Sequence, residues 1–231
     1  MISRFACCVV AALAFVPFAA LAAPPAGGVP PDRNGAPTNT PSTHYVADTT
    51  FFKLPKGRTM GASSAVHGDS KGHIWVVDRC AANDCAGSKL DPIMEFDANG
   101  HFIKAFGAGQ LLFPHGFTID AHDNLWITDG HVDAKRKLGD VVLEFSPDGK
   151  LLRTLGKPGV SGNGHDTFHE PSAVLVAPDG SIFVGDGHTT GEGNARIVKF
   201  DKNGKYLMQW GGHGSGPGQF EMPHSLALDS K

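Results

Sequence analysis

The sequence predicts an all-β protein built as a β-propeller, and three observations carry this prediction. Of the 231 residues, 30 are glycine and 16 are proline, so about one residue in five disfavours long helices. A unit of four short apolar runs, separated by turn signals such as Pro-Asp-Gly and Asn-Gly, occurs three times. The aromatic residues Trp75, Trp126 and Phe183 mark equivalent positions, with spacings of 51 and 57 residues. Four strands and a return describe one propeller blade.

The three copies of the unit define the predicted blades. They span about residues 60–107, 111–156 and 168–211, and a fourth copy begins at 220–231. A β-solenoid has much shorter repeats, and a sandwich would not repeat in register. Residues 44–55 resemble the last strand of a blade, although they precede the first copy. Because such a strand often closes a propeller, we expect a truncated propeller of about three and a third blades.

The first 43 residues predict export. Residues 1–22 combine one positive charge, an apolar run of about 15 residues and the small-x-small site Ala20-Leu21-Ala22, which is typical of a signal peptide. A membrane anchor is the alternative, but Pro17 interrupts the run, which is shorter than the ~20 residues that a bilayer requires. Residues 23–43 are rich in Pro, Gly and Thr and predict a flexible linker. We therefore expect a periplasmic or secreted protein without stable membrane insertion. We also expect a monomer.

Charge and cysteine content narrow the choice of partners. The net charge is -3 and the 20 Lys and Arg residues are scattered, which argues against nucleic acid or an anionic membrane surface as the main partner. Beyond the predicted signal peptide, the cysteines are Cys80 and Cys85. In an oxidising compartment they are expected to form a disulfide. A metal-binding pair is the alternative, but a four-cysteine zinc site would need a second pair.

One position at the start of the innermost strand alternates between blades. The residue 11 positions before each marker aromatic residue is Ser64, His115 or Ser172, and His224 follows in the fourth copy. This position lies close to the propeller axis, so histidines on alternate blades of a six-bladed ring would place three imidazoles around it. Three neutral imidazoles with an open fourth position form a catalytic zinc site. The alternative is that Pro-His recurs here without any ligand role.

A second variable position follows the second strand of each copy. Asp-Gly-His ends at His131 in the second copy and at His188 in the third, whereas Arg79 follows the equivalent aspartate in the first. An arginine there could bind a substrate carboxylate in a bidentate manner. A histidine could act as a general base. Solvated loop residues without a role are the alternative for all three.

The repeats resemble a known enzyme family. Their Pro-Asp-Gly and Phe-Asp-x-x-Gly turns resemble the NHL type of blade, and residues 113–129, 168–211 and 217–228 resemble the peptidyl-α-hydroxyglycine α-amidating lyases. The resemblance covers about residues 50–231. It implies a six-bladed propeller with an axial zinc held by three histidines and a structural calcium. It also implies cleavage of the C–N bond of a small peptide substrate, a peptidyl-α-hydroxyglycine, to a peptide amide and glyoxylate.

The resemblance also implies the metal ligands. His115 and His224 match two of the zinc ligands, and the third is expected beyond Lys231. The calcium is held in part by backbone carbonyl groups two residues past the alternating position. These are the carbonyls of Val66 and Phe117 in this sequence.

Two further residues take roles at the substrate. Arg79 stands where the family has its substrate-binding arginine. His188 stands where the animal enzymes have a tyrosine as the proposed base, so the resemblance implies that His188 removes the substrate hydroxyl proton.

Two other functions remain open. A non-catalytic exported propeller could bind protein or glycan partners through its loops. A calcium-dependent lactonase on a similar propeller would need carboxylate and asparagine ligands at the axis, whereas the alternating position holds Ser and His.

Overall fold

The computed structural model of the chain describes residues 48–189 and 193–229. The predicted signal peptide, the linker and residues 44–47 of the predicted closing strand lie outside this range. The described residues form twelve β-strands in three sheets, and they contain no helix long and apolar enough to cross a membrane.

Each sheet contains four antiparallel strands that are adjacent in chain order. Blade one contains β1 (Ser63–Gly68), β2 (Ile74–Asp78), β3 (Ile93–Phe96) and β4 (Phe102–Phe106). Blade two contains β5 (Phe113–Ile119), β6 (Leu125–Asp133), β7 (Leu138–Phe145) and β8 (Leu151–Gly156). Blade three contains β9 (Pro171–Val176), β10 (Ile182–Asp186), β11 (Arg196–Phe200) and β12 (Tyr206–Gly211). The predicted all-β fold of four-stranded propeller blades is confirmed.

The turns between the third and fourth strands follow the sequence signals. Gly149 closes the turn between β7 and β8 with a φ of 84°, and Gly204 closes the equivalent turn of blade three with a φ of 82°. Glycine adopts this left-handed conformation without the steric cost of a Cβ atom. The recurring Asp-Gly and Asn-Gly signals therefore fix the hairpins that repeat in each blade.

The hydrophobic cores lie between neighbouring blades. Trp75 of blade one and Phe145 of blade two belong to one buried cluster. Trp126 of blade two packs with Val174 and Phe200 of blade three in the next. Full burial of such a side chain stabilises the folded state by roughly 1.5–3 kcal/mol. This packing of successive sheets holds their inner strands side by side, which positions the site described below.

The predicted closing strand at 44–55 does not form a strand in its described part. Over residues 48–55 the ladder pairing consists of one bridge between Lys53 and His101, beside a hydrogen bond from the Lys53 N–H to the carbonyl of Gly100 at 2.8 Å. The ring of Phe52 packs on Phe96, with 4.6 Å between centroids. The apolar side chains of this segment thus cover the core of blade one.

Candidate metal centre

The start of β5 places His115 against the neighbouring blade. The register of β5 against β6 shifts between Pro114 and Phe117, so the regular ladder is interrupted at the histidine. Nδ1 of His115 lies 2.8 Å from the carbonyl oxygen of Ser172 in blade three. Because a carbonyl oxygen only accepts, Nδ1 carries the proton, and the Nε2 lone pair is left free. A metal-binding histidine is commonly oriented in this way.

Three imidazoles meet beside the inner strands. The ring centroid of His115 lies 4.5 Å from that of His188 and 4.7 Å from that of His224, and the last two are 5.1 Å apart. A ligand nitrogen from each lies within 4.8 Å of those of the other two. The structure thus brings together both predicted zinc ligands. It adds His188, which the sequence resemblance had assigned as a base.

Burial favours the neutral, metal-binding form of two of these imidazoles, His115 and His188. Burial lowers the pKa of His115 to about 4. Burial, with repulsion by His224 as the second cause, also lowers the pKa of His188. A metal ion needs the neutral imidazole, and three imidazole nitrogens are the donor set of a catalytic zinc site. The residues present therefore fit zinc.

Arg79 lies beside the three histidines on an aromatic platform. Its guanidinium carbon is 3.6 Å from the ring centroid of Phe113, and its Nε donates to the carbonyl of Pro114 at 3.0 Å. Burial lowers the pKa of Arg79, but a guanidinium stays protonated in proteins. Its charge also contributes to the lowered pKa of His115 and of His188. Arg79 is therefore placed to attract an anionic group to the cluster.

The two Asp-Gly-His segments have different conformations. His131 has a φ of 56° and stacks on Phe113 at 3.8 Å between centroids, with 15° between the ring planes. His188 follows Gly187, whose φ is 131° and where a Cβ atom would collide with the carbonyl of Asn194. His188 consequently points to the histidine cluster, whereas His131 does not belong to the cluster.

The second strand of each blade carries a buried aspartate at an equivalent position: Asp78, Asp129 and Asp186. Asp78 pairs with Arg58 at 2.6 Å, and Asp186 pairs with Arg196 at 2.8 Å. A buried carboxylate with a cationic partner avoids most of the cost of an isolated charge.

Asp129 differs from the other two because, among the described residues, it takes part in no ion pair. Its carboxyl accepts the N–H groups of Leu112 at 2.9 Å and Phe113 at 2.6 Å, just before the segment that carries His115. Burial raises the pKa of Asp129 to about 7. The hydrogen bonds fix the start of the inner strand of blade two.

The predicted disulfide between Cys80 and Cys85 is confirmed, with 5.1 Å between the Cα atoms. It closes the loop that directly follows Arg79. The predicted calcium ligands lie on adjacent inner strands, Val66 on β1 and Phe117 on β5. Phe117 also lines a cleft beside His224. The calcium site stays a prediction.

A second group of potential metal ligands lies at the turn between β1 and β2 of blade one. We call this turn the outer turn, because it is at the opposite end of β1 from Ser64. The group consists of Asp69, His73 and Glu95. Nδ1 of His73 lies 2.6 Å from Glu95, the indole of Trp75 donates to Asp69 at 3.0 Å, and Lys104 pairs with Glu95 at 3.2 Å.

Blade two repeats this arrangement with an amide in place of the imidazole. Asn124 donates to Glu144 at 3.1 Å, the indole of Trp126 donates to Asp120 at 2.9 Å, and Arg153 pairs with Glu144 at 3.1 Å. The outer group is therefore explained as a hydrogen-bond network of the repeat.

Comparison with known proteins supports the resemblance seen in the sequence. No family model matches the chain. The chain is 38% identical over 144 residues to a peptidylglycine α-amidating monooxygenase of Rattus norvegicus, covering 60% of this chain and 14% of the relative. It is 37% identical over 134 residues to a probable peptidyl-α-hydroxyglycine α-amidating lyase of Caenorhabditis elegans, covering 54% and 34%. It is 30% identical over 192 residues to NHL repeat-containing protein 3 of Homo sapiens, covering 80% and 51%.

Among solved structures, a virginiamycin B lyase from Staphylococcus aureus superposes with a TM-score of 0.41 at 17% identity, over 63% of this chain and 40% of that one. The chain spans between 14% and 51% of the length of the three curated relatives above. The predicted resemblance is confirmed: this chain is a homologue of the peptidyl-α-hydroxyglycine α-amidating enzymes and of the NHL repeat-containing proteins.

Proposed function

We propose that the protein is an exported zinc-dependent lyase that cleaves the C–N bond of a peptidyl-α-hydroxyglycine-like substrate to an amide and glyoxylate. The observation that carries this proposal is the convergence of the His115, His188 and His224 imidazoles beside Arg79. Homology to proteins named as amidating lyases supports the reaction class.

We assign the zinc to the three imidazoles. Nε2 of His115 is available because Nδ1 donates to Ser172. When bound, zinc supplies Lewis-acid polarisation of a substrate oxygen. Calcium is proposed at the carbonyl groups of Val66 and Phe117, where it would have a structural role.

Arg79 is proposed to bind the substrate carboxylate. Its Nε and Nη1 groups already donate to Pro114 and Asn83, at 3.0 and 3.2 Å, and a guanidinium has five N–H donors. The remaining donors can hold a carboxylate in a bidentate manner. The platform of Phe113 fixes the plane of the guanidinium, so little side-chain entropy is lost on binding.

The reaction requires a proton to leave the substrate hydroxyl. As the O–H bond breaks, its electron pair forms the carbonyl of glyoxylate, the C–N bond breaks, and the amide nitrogen takes up a proton. His188 cannot accept that proton through a nitrogen that binds the metal. We favour the ligand role for His188 because its nitrogen lies within 4.8 Å of those of His115 and His224. The hydroxyl proton would then leave to solvent, whereas with a free His188 it would go to the imidazole.

Export and a monomeric state are proposed together with this activity. The signal peptide predicted at residues 1–22 supports export, and the Cys80–Cys85 disulfide is of the kind that persists in oxidising compartments. The proposed partner is a small peptide or amide substrate, without nucleic acid and without stable membrane insertion.

A second candidate function is a non-catalytic exported propeller that binds protein or glycan partners. Its support is the 30% identity to NHL repeat-containing protein 3, which covers 80% of this chain. This binding function would require neither zinc at the three histidines nor Arg79 beside them.

The two functions are separated by measuring glyoxylate release from an N-acyl-α-hydroxyglycine, after subtraction of the spontaneous reaction. We expect the chelator-treated chain to be inactive and the zinc-reloaded chain to be active. Arg79→Ala should raise KM about 10- to 100-fold, as expected for a lost charge-assisted hydrogen bond. Arg136→Ala, which removes an arginine of an exposed turn, is the matched control and should leave KM unchanged. A folded chain that releases no glyoxylate with zinc would favour the binding function.

A further inference from the structure

Ser172 lies between the two histidines that occupy the alternating position, and it contacts the chain at both. It is the second residue of β9 and is 1% exposed. Its carbonyl oxygen accepts the Nδ1–H of His115 at 2.8 Å. Its hydroxyl donates to the carbonyl of Pro223, directly before His224, at 2.7 Å, and lies 3.3 Å from the carbonyl of Gly185.

Two glycines make these contacts possible. A Cβ atom on Gly116 would lie 2.5 Å from the carbonyl oxygen of Ser172, and one on Gly185 would lie 2.7 Å from the carbonyl oxygen of Pro223. Contacts this short are not found for real Cβ atoms, so only glycine lets the three backbones approach. The arrangement thus joins blade two, blade three and the segment that carries His224 through a single buried serine.

We propose that Ser172 is a positioning residue for the metal centre, which orients the His115 imidazole through its carbonyl and the His224 backbone through its hydroxyl. This inference rests on the proposed zinc site. It gives the second serine of the Ser-His-Ser-His alternation a role, because Ser172 lies between the two histidine positions and contacts the chain at both. Outer partners of metal ligands typically change metal affinity 10- to 100-fold when removed.

The serine of blade one supplies an internal comparison. Ser64 occupies the equivalent position, but its buried hydroxyl oxygen has no hydrogen-bond partner among the described residues. The same chemical change at Ser64 and at Ser172 therefore separates the loss of a hydroxyl from the loss of this particular hydrogen bond.

The test is the zinc affinity of the whole chain, measured by competition with a chromogenic chelator. We expect Ser172→Ala to weaken zinc binding about 10- to 100-fold and Ser64→Ala to change it less than about threefold. Equal affinities of the two variants would overturn the inference. A wild-type chain that is folded but binds no zinc would instead refute the proposed function, so the two failures are distinguishable.

An isosteric pair protects the test against misfolding. Ser172→Thr and Ser172→Val add the same volume, but only threonine keeps the hydroxyl donor. We expect the threonine variant to bind zinc about 10- to 100-fold more tightly than the valine variant, with similar urea midpoints for the two metal-free chains. Equal zinc affinities of this pair would also overturn the inference.

Discussion

The outer turns and the starts of the first strands both recur in each blade with the same spacing, but their polar side chains make different kinds of contact. On the outer turns, Asp69 accepts the indole N–H of Trp75, and Asp120 accepts that of Trp126. Each of these contacts stays within one blade. At the starts of the first strands, by contrast, His115 of blade two donates to Ser172 of blade three. In these two sets of polar contacts, the aspartate that serves its own blade is repeated, whereas the histidine that contacts the next blade alternates with serine.

Blade three shows how the outer position changes when its contact is lost. Phe183 stands where the other blades have tryptophan, and Ala177 stands where they have the aspartate that accepts the indole N–H. A phenylalanine offers no N–H, so an aspartate at this position would have no indole donor. The two residues are replaced together, as expected for a contact made inside a blade. The repeats thus supply controls for one another.

The largest effect is expected where the two Asp-Gly-His segments are compared directly. His188→Ala removes one of three donor nitrogens and should weaken zinc binding about 1,000-fold, since structural zinc sites gain roughly 10–16 kcal/mol from four ligands. His131→Ala removes a ring that stacks on Phe113 outside the cluster and should change zinc affinity less than about threefold. Chelator competition measures both affinities.

The electronic spectrum of the cobalt-substituted chain provides a second readout of the same pair. The d–d bands report the number and geometry of ligands, so they should change in His188→Ala and persist in His131→Ala. Identical spectra and affinities for the two variants would show that His188 is not a ligand. The role of base, which the sequence resemblance assigned to His188, would then be the better one.

The repeat register predicts some residues of the site, but it cannot distinguish residues that share the same motif. Counting 11 residues back from the marker aromatics found His115, and the Pro-His motif found His224, because propeller blades repeat in register. The same logic could not separate His131 from His188, since both follow Asp-Gly. The two segments differ in which residue has a positive φ: it is the histidine, His131, in the first segment, at 56°, and the glycine, Gly187, in the second, at 131°. A sequence pattern does not encode those angles.

The segment at residues 51–54 is a second case in which the sequence pattern fits two structures. The apolar residues at 51–54 suit the last strand of a blade, and they suit equally well a chain that packs on an existing sheet. The described residues show the second outcome, with Phe52 against Phe96. The alternation of serine and histidine, in contrast, did contain the signal for Ser172, although its contacts required the three-dimensional arrangement.

The next largest effect is expected at Asp129. Each blade has an aspartate at this position, but Asp78 and Asp186 pair with an arginine and, within the described part of the chain, Asp129 does not. Its carboxyl ionises near pH 3.8 in the unfolded chain and near pH 7 in the folded chain. Between these values the folded state binds the extra proton, so this group's contribution to stability is lost as pH rises. The loss amounts to about 4 kcal/mol in total. Asp129→Asn has no such proton and should not show it.

Urea unfolding of the metal-free chains at several values between pH 4.5 and 7.5 measures this contribution. The free energy of unfolding of the wild type, minus that of Asp129→Asn, should fall as pH rises across that range. Other titrating groups, including His115, are present in both chains and largely cancel in the difference. A difference that is constant with pH would mean that Asp129 is ionised throughout, and that its backbone hydrogen bonds offset its burial.

The smallest effect is expected at the outer turn of blade one, where His73 and Glu95 could be mistaken for part of a metal site. His73→Asn installs the residue that blade two already has at this position, Asn124, which donates to Glu144 at 3.1 Å. We expect the free energy of unfolding to change by less than about 1 kcal/mol, the range of one net hydrogen bond. Zinc stoichiometry and affinity should remain those of the wild type. A loss of bound metal in this variant would make the outer turn a second site, and repetition within each blade would then no longer identify a residue that serves only its own blade.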